Sequence, residues 1–256
     1  MCQTRFATTA AESKQEEEFG SGEYTARSRP MFELSKRGFD ILFSAAILLL
    51  TLPCSLLLAL TIWLESGGPI LFWQQRVGKD GRLFWIYKFR TMYPETPQYA
   101  VTPANDEQDP RVTRVGRLLR KSGLDELPQF WCVLRGDMSI VGPRPEMPFI
   151  VEAYAPRTRR RLRVLPGITG PWQVSPHRHE PIHENLQYDL YYLAHRSLVL
   201  DVKMIARTAV LAGTALYGGL GHRVLNRTRR MLGSILPHAV STGVAPAQDR
   251  PRKLAS

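Results

Sequence analysis

The chain has 256 residues, enough for one moderate domain with a membrane element but too few for two large cores. A formal net charge of +11 favours an anionic partner, whether nucleic acid, an anionic membrane face or a phosphorylated substrate. Three widely separated cysteines, Cys2, Cys54 and Cys132, with no CxxC spacing, argue against a disulfide framework and a zinc knuckle and favour a reducing compartment.

Residues 1–34 are polar, include "KQEEEF" and lack the apolar core of a secretory signal, so a disordered lead is expected. From Ile41 to Leu64 the chain is uncharged and mainly apolar, beyond the roughly 18 residues that make a transmembrane candidate. Pro53 near its middle removes one backbone hydrogen bond and leaves halves too short to span alone. Lys36 and Arg37 precede the run, and Arg76, Lys79, Arg82, Lys88 and Arg90 follow it, so both flanks look cytoplasmic. Residues 35–64 are therefore expected to form a re-entrant helix-break-helix hairpin in one leaflet, with a kinked spanning helix as the competing reading.

After "ESGGP", the segment "ILFWQQRVGKDGRLFWIYKF" has two β-branched and aromatic runs separated by Gly78 and Asp80-Gly81 and predicts a β-hairpin. The Pro-rich "YPETPQYAVTPANDEQD" is a loop that either covers a site or connects elements, with connection favoured. Asp109 and Pro110 predict a helix start, Val112, Val115, Leu118 and Leu119 its apolar stripe, and Gly123 its end. Arg111, Arg114, Arg117 and Arg120 recur every three residues and Lys121 follows. That row is either a solvated or headgroup face or a cradle for phosphate oxygens.

Asp125 and Glu126 then stand side by side before Pro128, where a further helix is predicted with Phe130, Trp131 and Leu134 on its buried side. Helix N–H groups, Arg120 and Lys121 would hold both acids ionised. "SGLD" also fits a capping box, so helix capping competes with a chemical role. In "GDMSIVGPRPE" two prolines lock Arg144 in an extended segment, as suits a guanidinium fixed against an anion. Acid pair, arginine row and locked arginine together point to phosphoryl chemistry: one carboxylate attacks phosphorus while its neighbour holds Mg²⁺.

The series "KRGFDIL", "YKFRTM", "DPRVTRVGRLLRKSGLDELPQFWCVLRGDMSIVGPRPE", "PGITGPWQV" and "LQYDLYYL" closely resembles the bacterial sugar transferase family, the monotopic phosphoglycosyl transferases, from about Ser35 to about Ala215. The resemblance implies a mainly α fold with a small β-hairpin. A re-entrant membrane helix broken at its proline would carry a catalytic domain, residues 65–217, lying on the cytoplasmic face of the bacterial inner membrane. It implies transfer of a sugar phosphate from a UDP-sugar to undecaprenyl phosphate with release of UMP, initiating exopolysaccharide or capsule assembly. By the same motifs Asp125 is the nucleophile and Glu126 the Mg²⁺ ligand. Lys88, Arg120 and Arg144 resemble phosphate contacts, Asp189 looks functional, and Arg111 and Arg114 join the substrate-binding candidates from the arginine row. Cys132, Thr91 and Leu52-Pro53 depart from the family's usual Asn, Ser and Ser-Pro, leaving Thr51 or Ser55 to supply a hydroxyl at the bend. The polar lead leads us to expect the short form of the family, without added spanning helices.

Three features stand outside that pattern. His177, His179 and His183 form either a transition-metal site or, as favoured, a loop beside the active site. The run "RTRRRLR" and the basic tail within residues 218–256 rest on anionic lipid or form solvated basic surface. A membrane-attached basic binding or regulatory protein without catalysis is the alternative function, nucleic acid is not the expected partner, and a homodimer is left open.

Overall fold

A computed structural model describes residues 30–100, 106–156, 158–178, 182 and 185–217. The polar lead before Pro30, the basic tail from residue 218, His179 and His183 lie outside the described residues. Helix α1, Pro30–Ser66, opens on a proline at its first position, where a missing N–H costs nothing. It runs 37 residues, and its helical structure continues through Pro53 rather than breaking there. A proline deletes one i→i−4 hydrogen bond, and the leucine-rich turns on either side retain theirs. Thr51 Oγ1 donates to the Ile47 carbonyl at 2.7 Å, an ordinary back-bond within the helix, and not to the Leu49 carbonyl that Pro53 leaves without its helical N–H. Leu49, Leu50, Leu52, Leu56 and Leu57 along the middle of α1 are exposed.

Both ends of α1 dock on the rest of the protein. Near its start, Lys36 Nζ lies 2.6 Å from Asp201 Oδ2, Arg37 donates to the carbonyls of Val133 and Leu134, and Asp40 accepts from the Ile140 N–H. Near its end, Ile62 is buried against Phe89 and Leu119, and the Glu65 carboxylate accepts from the N–H groups of Arg114 (2.8 Å) and Val115 (3.1 Å).

The predicted hairpin forms as β1, Leu71–Val77, and β2, Leu83–Phe89, antiparallel with Val77 opposite Leu83 and Leu71 opposite Phe89. Asp80 (φ 55°) and Gly81 (φ 81°) make the left-handed turn that such short connections require. Strand alternation then sends Phe84 and Ile86 into a core with Cys132, Val133, Met138, Ile140, Tyr192 and Met204.

Helix α2, Arg114–Ser122, begins later than the sequence signal placed it. Thr113 is its N-cap, its hydroxyl accepting from Gly116 N at 2.8 Å, whereas Asp109 binds Arg111. The cause is tertiary: Val112 bridges to Met92, which keeps the chain extended up to Thr113. Gly116 packs so closely on the segment after β2 that a Cβ there would lie 2.0 Å from the Thr91 carbonyl oxygen. Gly123 ends α2 in the left-handed region (φ 73°), as expected.

A 3₁₀ turn, Leu124–Glu126, leads to α3, Gln129–Arg135. Its buried side carries Gln129, Cys132 and Val133, and Trp131, expected inside, is 53% exposed. Two short strands that the sequence did not reveal, β3 (Ser139–Val141) and β4 (Gly167–Thr169), pair in parallel. Gly167 permits that pairing, since a Cβ there would meet Gly142 N at 2.1 Å. Helices α4 (Pro148–Glu152), α5 (Leu186–His195) and α6 (Leu198–Tyr217) complete a mainly helical fold with one hairpin.

Candidate active site

Four segments converge on the acid pair. The inward alternation of β2 that buries Phe84 and Ile86 also turns Lys88 toward the 3₁₀ turn carrying Asp125 and Glu126. Lys88 Nζ lies 2.6 Å from Glu126 Oε1 and 3.9 Å from Asp125 Oδ2. From the segment after β3, Arg144 Nη2 donates to the same Glu126 oxygen at 3.2 Å. Arg120, in the last turn of α2, donates from Nε to Thr91 Oγ1 (2.9 Å) and pairs through Nη1 with Asp106 (2.6 Å), and its charge acts on Asp125.

The capping box does not form. Ser122 Oγ donates back to the carbonyls of Leu118 and Leu119 and accepts from the Leu124 N–H (3.4 Å) rather than from Asp125, and Pro128, at the N-cap of α3, offers no side-chain cap. The carboxylates of Asp125 and Glu126 go to cations instead of helix N–H groups, a choice that favours a chemical role.

The two acids sit in different electrostatic states. Burial pushes the Asp125 carboxyl up to about 6; Lys88 opposes this and the Glu126 charge reinforces it. Burial also opposes ionisation of Glu126, but Lys88 and Arg144 outweigh it and hold that carboxyl down to about 2. Both acids are thus ionised at neutral pH as expected, but for Asp125 burial narrows the margin. Glu126 is a permanent carboxylate, and Asp125 is a desolvated and therefore more basic one.

The arginine row does not act as a unit. Arg111 lies before α2 with its guanidinium 2.6 Å from Asp109, and Arg114 is exposed at the first turn of α2, the opposite end from the acid pair. Asp189 on α5 is also outside the cluster: it is 1% exposed and pairs with Arg161 at 2.8 Å, and burial pushes its carboxyl up to about 6. Arg161 itself comes from the run expected to face lipid or solvent, and it is buried while Arg159, Arg160 and Arg163 are exposed. His177 is exposed beside the Tyr188 ring, and among the described residues no group of three His, Cys, Asp or Glu side chains could hold a metal ion.

One site residue escaped the sequence. Arg76 of β1 faces inward opposite Phe84, donates from Nη1 to Pro145 O (3.3 Å) and from Nη2 to Gln74 Oε1 (2.6 Å). Burial and the charge of Arg144 lower it to about 10, and Glu126 also acts on it. Strand alternation held the signal, because the hairpin register places Arg76 on the same face as Lys88.

The bacterial sugar transferase family model matches residues 31–214. A UDP-N-acetylgalactosamine-undecaprenyl-phosphate N-acetylgalactosaminephosphotransferase of Aeromonas hydrophila is 42% identical over 186 residues, 70% of this chain and 44% of that protein. An undecaprenyl-phosphate glucose phosphotransferase of Komagataeibacter xylinus is 40% identical over 208 residues, 75% of this chain and 39% of that protein. The exopolysaccharide production protein ExoY of Sinorhizobium fredii is 36% identical over 219 residues, 80% of this chain and 93% of that protein. The chain thus spans less than half the length of the first two relatives and nearly all of the third. With the family match covering most of the chain, the acid pair and the cations around it belong to a member of the bacterial sugar transferase family.

Proposed function

We propose that the protein is a phosphoglycosyl transferase that moves a sugar 1-phosphate from a UDP-sugar to undecaprenyl phosphate, releasing UMP and initiating exopolysaccharide or capsule assembly. The observation that carries this reading is the pairing of a buried, basic Asp125 with a Glu126 held ionised by Lys88 and Arg144.

The Asp125 carboxylate attacks the sugar-bearing phosphorus of the diphosphate. The new bond is an acyl phosphate, and the bond to the bridging oxygen breaks, so that UMP leaves with its electron pair. A phosphate oxygen of the polyprenyl acceptor then attacks the same phosphorus, the acyl phosphate bond breaks, and Asp125 returns as a carboxylate. Lys88, Arg120 and Arg144 bind and orient the phosphate oxygens. Asp125, 9% exposed, is largely withdrawn from bulk water.

The donor set suits Mg²⁺, which takes one or two carboxylates and completes its shell with phosphate oxygens and water. Glu126 would hold it, with Asp125 adjacent, and a bound ion would neutralise diphosphate charge.

Membrane attachment through α1 is supported by its exposed apolar middle and by the contacts at both its ends. Asp40 and Glu65, near opposite ends of α1, both bind the rest of the protein. That arrangement supports a re-entrant α1 with both ends on one side of the bilayer, at the cytoplasmic face of the inner membrane, over a spanning one.

The test is a membrane-fraction assay of UMP release from a panel of UDP-sugars with undecaprenyl phosphate and Mg²⁺. Asp125→Asn should abolish release, and turnover by that variant would remove the nucleophile assignment.

A further inference from the structure

Arg161 and Asp189 meet behind the segment that presents Arg144. Pro143 and Pro145 on either side of Arg144 have no N–H to donate, so the segment is held largely through its carbonyls. Pro143 O accepts from the Gly167 N–H at 2.9 Å, and the next three carbonyls are occupied as well. Arg144 O accepts from Arg161 Nη2 at 2.7 Å, Pro145 O from Arg76 Nη1 at 3.3 Å, and Glu146 O from the Val77 N–H at 2.9 Å. The contact at Arg144 O falls on the very residue whose guanidinium reaches Glu126.

Arg161 is 2% exposed; its two Nη groups are hydrogen-bonded and its Nε has an ionic neighbour. Nη2 holds Arg144 O, Nη1 bonds the Tyr154 hydroxyl and lies 3.9 Å from Glu146, and Nε lies 2.8 Å from Asp189 Oδ2. The Nε contact is an ion pair without an aligned hydrogen bond, so Asp189 acts on Arg161 mainly by its charge. A buried guanidinium without a counter-ion would be strongly disfavoured, and Asp189, fully enclosed, supplies one.

We propose that Arg161 is a positioning residue for Arg144, fixing the backbone from which that guanidinium reaches the acid pair, and that Asp189 acts one step further back by keeping Arg161 in place. The inference rests on the proposed function, in which Arg144 orients substrate phosphate. A lysine at position 161 keeps the charge but cannot reach Arg144 O, Tyr154 and Asp189 together, because a single ammonium replaces a planar fork.

The experiment is a double-mutant cycle on UMP release by full-length protein in membranes. Arg161→Lys should lower kcat by about 10- to 100-fold, the scale expected of a phosphate-binding group misplaced by about 1 Å. The same substitution in an Arg144→Gln background should cause no further loss, because the group it positions is absent. A loss in that background as large as in the wild type would assign Arg161 a general structural role and overturn the proposal. If Arg161→Lys fails to fold, Tyr154→Phe removes one anchor of the guanidinium without stranding a charge. A smaller fall in kcat is then expected, again cancelled by Arg144→Gln, and a persistent fall overturns the proposal. Absence of UMP release by the wild type from every UDP-sugar overturns both the function and the brace, whereas a wild type that turns over with independent losses overturns the brace alone.

Discussion

At the scale of single residues, the adjacent acids are driven apart by what surrounds them. Asp125 must be a carboxylate to attack, and its carboxyl sits at about 6. UMP release should therefore fall about tenfold per pH unit below that value and level off above it, measured from pH 5 to 8. Asp189 titrates in the same range. Asp189→Asn should keep the acid limb if Asp125 causes it, and loss of the limb would reassign it. The same raised value has a stability consequence. A carboxyl whose folded value lies above its unfolded one stabilises fully below the unfolded value, and that contribution is lost as pH rises through about 6. At neutral pH the ionised Asp125 is thus a burden on the order of 1–3 kcal/mol, and Asp125→Asn should raise the midpoint of urea unfolding while removing activity. Glu126 carries the opposite sign: its stabilisation is present above the unfolded value and lost as pH falls toward about 2. Glu126→Gln should lower the same midpoint, since Lys88 and Arg144 would face each other without their shared partner.

At the scale of elements, two contacts deliver α2 and hence Arg120 and the acid turn. Gly116 lets α2 approach the Thr91 carbonyl, and Gly116→Ala should cost roughly 1–3 kcal/mol of stability, as overpacking does, together with most of the activity. An unchanged unfolding midpoint would mean that α2 shifts freely. The Glu65 carboxylate caps the first turn of α2 from the end of α1. Glu65→Gln should cost about 0.5–1 kcal/mol as a weakened charged cap and is checked by the same unfolding curve. Neither contact was legible in the sequence, because each joins segments distant along the chain. The hairpin was legible, since Asp80-Gly81 and the β-branched and aromatic runs on either side of it act over a few residues. The start of α2 was misplaced for the complementary reason: Asp109-Pro110 is a good local signal, but Thr113 satisfies the helix once Val112 is held by Met92.

At the scale of the whole molecule, α1 is tied at both ends to one body. In a cysteine-replaced background, Leu34→Cys and Gly68→Cys, both exposed positions, should react with an impermeant thiol reagent from the same side of sealed inverted vesicles. Labelling from opposite sides would establish a spanning helix.

By itself the sequence determined the apolar run, the hairpin, the Asp125-Glu126 pair, the proline-locked Arg144 and, through the ordered motifs, the family. These depend on neighbours within a turn or a strand, so local chemistry is sufficient. Only the tertiary structure decided which cations reach the acids, since Lys88 and Arg144 stand 38 and 18 residues from Glu126. Packing likewise buried Arg161 and Asp189 together and left Arg111 and Arg114 outside the cluster. Burial and distance set both the charge state of a carboxylate and the partner of a guanidinium, and neither exists until remote segments pack.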